Sequence, residues 1–314
     1  MNKFEKHNGY SRTFQENKLT LGLAFPLEAY QGNVPIMDLD EQIKLSRLAE
    51  EGNFAALFVR DVPLNDPSFG DAGQMYDPWV FLSYIAAHTK EIALGTASAI
   101  TSFQHPLNLA KSAASFDKIS GERLLFGLAT GDRPIEFSAF DVNREKRSEF
   151  FQEAFYVIKE AWAKSFPTIQ TDRVNLTGST DILPKPVLGD IPTLVTGFSR
   201  QSLEWIAENS DGWLSYPRNP AQQQNLIREF RSLTDRFKPF AQSLYVDLSD
   251  NPDEGPTPIH LGFRSGHKFL IEFLNALQEA GVNHVTINVK FSRRPVEEVI
   301  QELAEEVVPY FPAL

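Results

Sequence analysis

Small and polar residues follow two apolar runs in the middle of the chain, a pattern that suits the binding of a large, flat ligand. Ile92–Leu94 is followed by Gly95–Ala99, and Leu124–Phe126 is followed by Gly127–Asp132, with a helical segment between them. Parallel strands joined by a helix end at the same edge of a sheet, where α/β proteins bind ligands. Because small residues let a flat ligand approach the backbone, this unit predicts an enzyme or a ligand-binding protein.

A second candidate site is the run Thr196–Ser202, which joins a predicted strand to a predicted helix. The first turn of a helix has free N–H groups and the positive end of the helix dipole, and both favour a phosphate. We expect Gly197 to allow close approach, and Ser199, Ser202 and Arg200 to contact the phosphate. The alternative is an ordinary N-cap at Ser199 beside a solvated Arg200.

Alternating strand and helix patterns must position these residues. Eight strand patterns, each followed by a helical pattern, predict a single α/β domain with the (β/α)₈ TIM-barrel fold and loop insertions, over residues 19–314. A doubly wound open sheet is the alternative, and residues 1–18 are predicted to be an N-terminal extension. The predicted strands are Leu19–Phe25, Ala55–Val59, Ile92–Leu94, Leu124–Phe126, Thr193–Thr196, Gly212–Tyr216, Leu244–Leu248 and His284–Val289.

Three segments between the predicted elements are less regular. Residues 165–190 contain several prolines and are predicted to be a connecting segment. Leu244–Leu248 and Pro258–Phe263 flank a turn-rich stretch, and they form either a hairpin or a seventh strand interrupted by a loop. The loops 62–76 and 249–257 are long and rich in Gly or Pro, so we expect them to shape substrate specificity.

Composition excludes several classes of protein. The net charge of −11 and the absence of a dense Lys/Arg cluster argue against nucleic-acid binding. There is no cysteine, no apolar run long enough to span a membrane and no secretory signal, so we expect a cytoplasmic protein that does not bind membranes. Dinucleotide, P-loop, zinc-protease and serine-hydrolase motifs are missing, and the six histidines are scattered, so we expect no metal.

The motifs around the two candidate sites occur together in one known family. The chain resembles the bacterial luciferase-like family of flavin-dependent oxidoreductases, from roughly Leu19 to Phe311. The combination is specific, although each motif alone is weak. The matching motifs are His105-Pro106, Leu109-Ala110-Lys111 with Asp117, Ser120-Gly121-Glu122-Arg123, Phe126-Gly127 to Gly131, and the run from Ser199 to Trp213.

The resemblance implies a TIM barrel that uses FMN, often supplied in reduced form by a separate flavin reductase; a deazaflavin is the less expected cofactor. It implies a monooxygenase in which reduced FMN and oxygen form a C4a-peroxyflavin that attacks a small organic substrate. The alternatives are an FMN-binding barrel without oxygenase activity, and a flavin-independent lyase or hydrolase that uses Asp61 and Asp132. Family members are commonly dimers through the second and third barrel helices, so a homodimer is expected.

Carried over residue by residue, the resemblance implies two sets of cofactor contacts and a non-proline cis peptide at Ala97-Ser98. The phosphate would lie at Gly197, Phe198, Ser199, Arg200 and Ser202. The ring would lie near Ala24, Phe25, Thr96, Ala97, Ser98, Thr130, Gly131 and Asp132.

The chain departs from the family pattern at the end of the second strand, where Asp61 replaces the catalytic histidine of the luciferases proper. Asp61 could act as a base or accept a hydrogen bond from the ligand, or it could cap the next turn. Arg133 could bind an anion, or pair with Glu136 or Asp132 at the rim. Many members have a tyrosine near the phosphate directly after the arginine of the fourth helix, and this chain has Ser148 after Arg147 instead, so that contact is missing from the expected set.

Aromatic residues and one histidine complete the set of candidates. His105 is expected to cap or pack at its helix start and not to act in catalysis. The candidate walls of the site are Phe25, Tyr30, Phe103, Phe137, Phe140 and Trp213.

Overall fold

Eight parallel strands close into a barrel in the computed structural model, which describes residues 3–30, 34–69 and 75–314. Each strand pairs with its neighbours in chain order, and the last pairs with the first, Thr20 opposite His284. The predicted TIM-barrel fold is therefore confirmed, and the open-sheet alternative is wrong. The barrel strands are β1 (Thr20–Ala24), β2 (Ala56–Val59), β3 (Ala93–Ile100), β4 (Leu124–Ala129), β5 (Thr193–Thr196), β6 (Gly212–Ser215), β7 (Phe240–Leu248) and β8 (His284–Asn288).

Helices surround the barrel and bury their apolar faces against it. Proline at the first turn and an Asp, Asn or His cap begin several of them, as at Asp77-Pro78 and His105-Pro106. The helices are α1 (Asn8–Thr13), α2 (Leu39–Glu51), α3 (Pro78–Ala86), α4 (Pro106–Ser120), α5 (Pro134–Ala139), α6 (Arg147–Ala163), α7 (Leu203–Asn209), α8 (Pro220–Ser232), α9 (His267–Glu279) and α10 (Val296–Glu302), which continues as a π-helical turn (Leu303–Val307).

Two short hairpins interrupt the repeat. One hairpin lies in the connecting segment 165–190, where the strand Thr168–Gln170 pairs antiparallel with Asn175–Thr177. The sequence did not predict this hairpin. The other joins Thr257–Ile259 to Gly262–Ser265, and its second strand pairs in parallel with β7. Phe240–Leu248 is one continuous barrel strand, so the interrupted-strand alternative is wrong. The two predicted runs do not form a hairpin with each other either, because the hairpin lies within residues 257–265 and its second strand is parallel to β7.

The N-terminal extension closes the bottom of the barrel. Phe4, Tyr10 and Phe14 are almost fully buried and pack against interior residues such as Phe58 and Leu125. The sequence shows no periodicity here because these contacts come from a turn and one short helix, α1. The extension thus fills the N-terminal end of the barrel, opposite the end where parallel barrels bind ligands.

A buried histidine anchors this extension. His7 Nδ1 accepts the N–H of Tyr10, so Nε2 carries the proton that it donates to Asp117 Oδ1 at 3.0 Å. Both side chains are buried. His7→Ala should therefore lower the free energy of unfolding by about 3 kcal/mol, because a buried carboxylate loses its donor. Chemical denaturation checks this, with Ser11→Ala on the exposed side of α1 as the control; equal stability of both variants would contradict the anchoring role.

The Ser-Gly-x-Arg motif fixes the start of β4. Gly121 ends α4 with a left-handed φ of +77°, a conformation that glycine adopts without a steric penalty. The buried Arg123 guanidinium then donates to the carbonyls of Ser120, Ile92 and Ala86. This arginine therefore joins α3, α4 and the entry to β3, and it positions the strands that carry the candidate site.

None of the helices within the described ranges has both the length and the apolar character needed to cross a membrane.

Candidate functional site

Small residues near the C-terminal end of the barrel remain accessible to solvent. Five inward-facing residues near this end remain partly accessible although they lie in strands: Ala24, Ala97, Ala129, Thr196 and Ser243. Because side chains alternate along a strand, these residues point the same way as the interior residues nearer the N-terminal end of the barrel. The Thr196 hydroxyl is buried there and has no hydrogen-bond partner among the described residues. We call this opening, at the ends of β1, β3, β4, β5 and β7, the mouth.

The predicted cis peptide at Ala97-Ser98 is confirmed. It coincides with a shift in the pairing of β3 with β4 between Thr96 and Ala99. The hydroxyl of the fully buried Thr96 donates to the Gly127 carbonyl at 2.7 Å, so Thr96 ties the two strands together. A Cβ at Gly127 would lie 2.0 Å from the Thr96 carbonyl oxygen, so this close approach requires glycine.

Thr130, Gly131 and Asp132 form the rim of the mouth beyond β4. The carbonyl oxygen of the buried Thr130 accepts a hydrogen bond from the Ser102 hydroxyl at 2.6 Å. Gly131 has a φ of +81°, and a Cβ there would touch Ile100 at 3.0 Å. Asp132 is exposed. These residues lie beside Ile100, Ser102 and Phe103, which follow the cis peptide in the chain.

Asp61 lies at the end of β2 with its carboxylate held by β3 and the following loop. Its Oδ2 accepts the N–H of Ile100 and the side-chain amide of Gln104, each at 3.0 Å. Burial raises the pKa of Asp61 from 3.8 to about 6, and the nearby Asp77 adds to this shift. A carboxyl group that titrates near neutral pH at the edge of an open mouth can act as a general base or acid.

Arg133 lies at the rim in an ion pair. Its guanidinium is 3.7 Å from Glu136 Oε1 and 4.7 Å from the ring centre of Phe69. It also donates to the Leu64 carbonyl at 3.4 Å. The pairing with Glu136 that was the alternative interpretation of this arginine is therefore present. Glu136 itself is 2 % exposed, and burial raises its pKa.

The loop after β5 turns sharply at Gly197, Ser199 and Arg200, which have φ values of +56°, +44° and +60°. The Ser199 hydroxyl donates to the Thr196 carbonyl at 2.8 Å, and the Trp213 indole donates to the Gly197 carbonyl. Left-handed turns of this kind form concave, anion-binding surfaces. Phe198 is partly exposed at the same turn.

Ser199 is not the N-cap of the following helix, which corrects one interpretation of the sequence. Because Ser199 and Arg200 are left-handed, helix α7 begins only at Leu203, and Ser202 is its N-cap. The Ser202 hydroxyl accepts the N–H of Trp205 at 3.2 Å. Ser202 therefore faces its helix, and the loop, not the helix terminus, is the candidate anion site.

Three arginines converge near this loop. Burial lowers the pKa of Arg147, and the positive charges of Arg200 and Arg144 lower it further. Arg147 is 5 % exposed and begins α6, and its neighbour Ser148 donates to the Arg200 carbonyl at 3.2 Å. A bound anion would relieve this repulsion, whereas the exposed Glu145, 4.0 Å from Arg147, does so only weakly. The resemblance pointed to the position after Arg147 as a phosphate contact and not to Arg147 itself, whose side-chain position depends on how α6 packs.

The candidate walls divide into two groups. Phe103 stacks on Phe140 at 4.8 Å and packs edge-on against Phe137, beside Gly131. By contrast, Phe25 packs against Phe81 and Trp213 packs against Phe230, so both rings lie in the core behind the strands. These two rings therefore cannot line the mouth, and Phe25 can contribute only its backbone.

An aromatic cluster beyond β7 and β8 was largely absent from the predicted walls. Tyr245 and Phe291 lie 5.3 Å apart, and His260 of the hairpin is 6.0 Å from Tyr245. The Lys290 ammonium is 4.7 Å from the centre of the Tyr30 ring and 5.5 Å from that of Phe291. Tyr30 was a candidate, and the other members come together only when the hairpin folds over β7.

His105 caps α4, as expected. Its Nδ1 accepts the N–H of Leu107 at 3.3 Å, and its Nε2 contacts the Arg173 carbonyl at 3.0 Å.

Of the predicted loop 62–76, residues 70–74 lie outside the described residues. The loop 249–257 is held by ion pairs, since Arg264 binds Asp247 and Glu254 at 3.0 Å each.

The sequence and the fold both match known proteins. The model of the luciferase-like monooxygenase family matches residues 20–254. An uncharacterized protein of Mycobacterium tuberculosis is 30% identical over 189 residues, which cover 55% of this chain and 67% of that protein. The F420-dependent hydroxymycolic acid dehydrogenase of the same species is 25% identical over 190 residues (57% of this chain, 50% of the relative). The alkanal monooxygenase alpha chain of Photorhabdus luminescens is 22% identical over 168 residues (53% and 45%).

Solved structures share the fold at low sequence identity. The monooxygenase RslO1 from Streptomyces bottropensis superposes with a TM-score of 0.76 at 18% identity, covering 93% of this chain and 99% of that one. An F420-dependent secondary alcohol dehydrogenase gives a TM-score of 0.76 at 16% identity, covering 94% and 99%. The similar proteins thus include both monooxygenases and F420-dependent enzymes.

Proposed function

Because the chain belongs to the luciferase-like monooxygenase family, whose members use FMN or the deazaflavin F420, we propose that it is an FMN-dependent oxidoreductase. In this proposal it takes up reduced FMN and oxygenates a small organic substrate. One observation supports the proposal: the positive charges of Arg147, Arg200 and Arg144 lie close together at the turn after β5, next to the small, partly accessible residues of the mouth. A tricyclic ring with a phosphate tail needs both features.

The residues at the mouth fit such a cofactor. Ala24, Ala97, Ala129 and Gly131 would contact the ring, since their small side chains leave room above the strands. The buried Thr196 hydroxyl, which lacks a partner within the described part of the chain, is available to a polar edge of the ring. Arg147, Arg200 and the turn at Gly197 and Ser199 would hold the phosphate.

The protein would bind, orient and shield the cofactor, and bound reduced flavin would supply the redox chemistry. Asp61 would accept a proton from the substrate, because its carboxylate is held at the rim by two hydrogen bonds. Arg133 would balance the charge of Glu136 beside it. The cluster of Phe103, Phe137 and Phe140 would limit the access of water from the β4 side.

F420 is the second candidate cofactor. The F420-dependent relative of M. tuberculosis supports it, and so does Arg144, which adds a further positive charge near Arg147. A cofactor whose phosphate carries a further anionic tail would use this additional charge, whereas FMN ends at the phosphate. An F420-dependent enzyme would transfer a hydride and would not need oxygen.

The remaining partners follow from the proposed reaction. We propose that oxygen is the second substrate and that a separate flavin reductase supplies reduced FMN. We also propose a homodimer through α3 and α4, which expose Val80, Tyr84 and Ile119. Light scattering coupled to gel filtration tests the dimer, since a monomer mass at micromolar concentration would refute it.

Anaerobic titration of the protein with FMN, reduced FMN and F420 tests the proposed function. We expect saturable binding of reduced FMN at micromolar concentration, with weaker binding of F420, because the three arginines suit a terminal phosphate dianion. Binding of F420 alone would favour the second candidate. If no flavin binds even at millimolar concentration, the proposal is wrong.

A further inference from the structure

Gln104 contributes to the arrangement of Asp61 in a way that the family resemblance did not suggest. Among the described residues, both hydrogen bonds to Asp61 end on Oδ2, one from the Ile100 N–H and one from the Gln104 side chain. We infer that Gln104 is a positioning residue that fixes Oδ2, so that Oδ1 is the oxygen that exchanges a proton. This inference rests on the proposed role of Asp61.

The position of Gln104 in the chain suits this role. The next residue, His105, caps α4 and contacts the Arg173 carbonyl, and Pro106 has a fixed φ. On the other side, Phe103 is packed between Phe137 and Phe140. Because the backbone is held on both sides, the amide of Gln104 reaches Asp61 with little freedom to move, and Ile100 supplies the second fixed donor.

A neutral amide orients the carboxylate without competing for its proton. The charged groups around Asp61 come from two elements: Asp77 lies at the start of α3, and Glu136 lies on α5 with its partner Arg133. The two carboxylates favour the protonated form of Asp61, whereas the two hydrogen bonds favour the carboxylate. Loss of the Gln104 donor should therefore shift the balance towards the protonated form.

Two substitutions with opposite expected effects test the inference. Gln104→Met keeps the length of the side chain but removes the donor, so the pKa of Asp61 should rise by about one pH unit. Gln104→Lys places a cation near Oδ2, so the pKa of Asp61 should fall. Carbon-13 NMR of aspartate-labelled protein, with Asp61→Asn to assign the resonance, measures this pKa without any flavin. Gln224→Met, at an exposed position on α8, is the matched control and should change nothing.

The outcomes separate this inference from the proposed function. If the NMR pKa moves in opposite directions in the two variants, Gln104 positions Asp61, and the pH profile of turnover should move with it. If the NMR pKa moves and the pH profile does not, the positioning role stands and the catalytic role of Asp61 fails. If the pKa is the same in both variants and in the unmodified protein, Gln104 has no such role.

Discussion

Replacing Arg147 by alanine should weaken the binding of reduced FMN about a hundredfold, because charge-assisted hydrogen bonds to a phosphate stabilise binding by about 1.5–3 kcal/mol. Arg147 is buried, and burial and the charges of Arg200 and Arg144 lower its pKa, an effect that a bound phosphate would oppose more strongly than the exposed Glu145 does. Calorimetric titration of the variant under anaerobic conditions gives the change in Kd.

Two further variants make this test specific. Arg147→Lys keeps the charge and loses the planar pair of donors. Its Kd for reduced FMN should therefore lie between the values of the alanine variant and the unmodified protein. Arg228→Ala, at an exposed position on α8, should leave the Kd unchanged. If Arg147→Ala binds FMN as tightly as the Arg228 control does, the phosphate is bound elsewhere.

Asp61→Asn should lower turnover by a factor of about 10²–10⁴, the usual contribution of a general base. Because the pKa of Asp61 is raised to about 6, the carboxylate predominates only above that pH. The rate of the unmodified enzyme should therefore increase as pH rises through 6 and then level off, and the variant should lose this step. A variant that retains the step would show that another group is the base.

The same substitution should increase stability above pH 6. A carboxyl whose pKa is higher in the folded than in the unfolded chain destabilises the fold progressively as pH rises from the unfolded to the folded value. Above the folded value the full loss is present, because the folded protein must then hold a poorly solvated charge. For a rise from 3.8 to about 6, the loss is about 3 kcal/mol as an upper limit. Denaturation at pH 8 should therefore find Asp61→Asn more stable than the unmodified chain, and at pH 4 the difference should disappear.

The barrel could be predicted because each of its strands leaves a local signal. Apolar runs such as Leu124–Phe126 and stops such as Gly121 depend on nearby residues alone. The hairpin Thr257–Ser265 was harder to assign, since its second strand is stabilised by pairing with β7. The extension at residues 4–14 gave no signal at all, because it becomes buried only against the interior of the finished barrel.

The candidate site was predictable where it follows strand ends and was not predictable where it depends on packing. Ala97 lies in the last part of β3, and Gly131 and Asp61 follow β4 and β2, so apolar runs that mark strands were enough to predict their position. Arg147 and Gln104 reach the site from a helix start and a loop, and only their tertiary contacts place them there. Ser199 was assigned as a helix cap because serine is a common cap, but its left-handed backbone excludes this role.

A crystal structure of the protein with reduced FMN, prepared without oxygen, tests the central claim most directly. We expect the phosphate within hydrogen-bond distance of Arg147 and of the turn at Gly197 and Ser199, with the ring over Ala97 and Gly131. An FMN phosphate bound at any other loop, or a ring bound outside the mouth, would contradict the account.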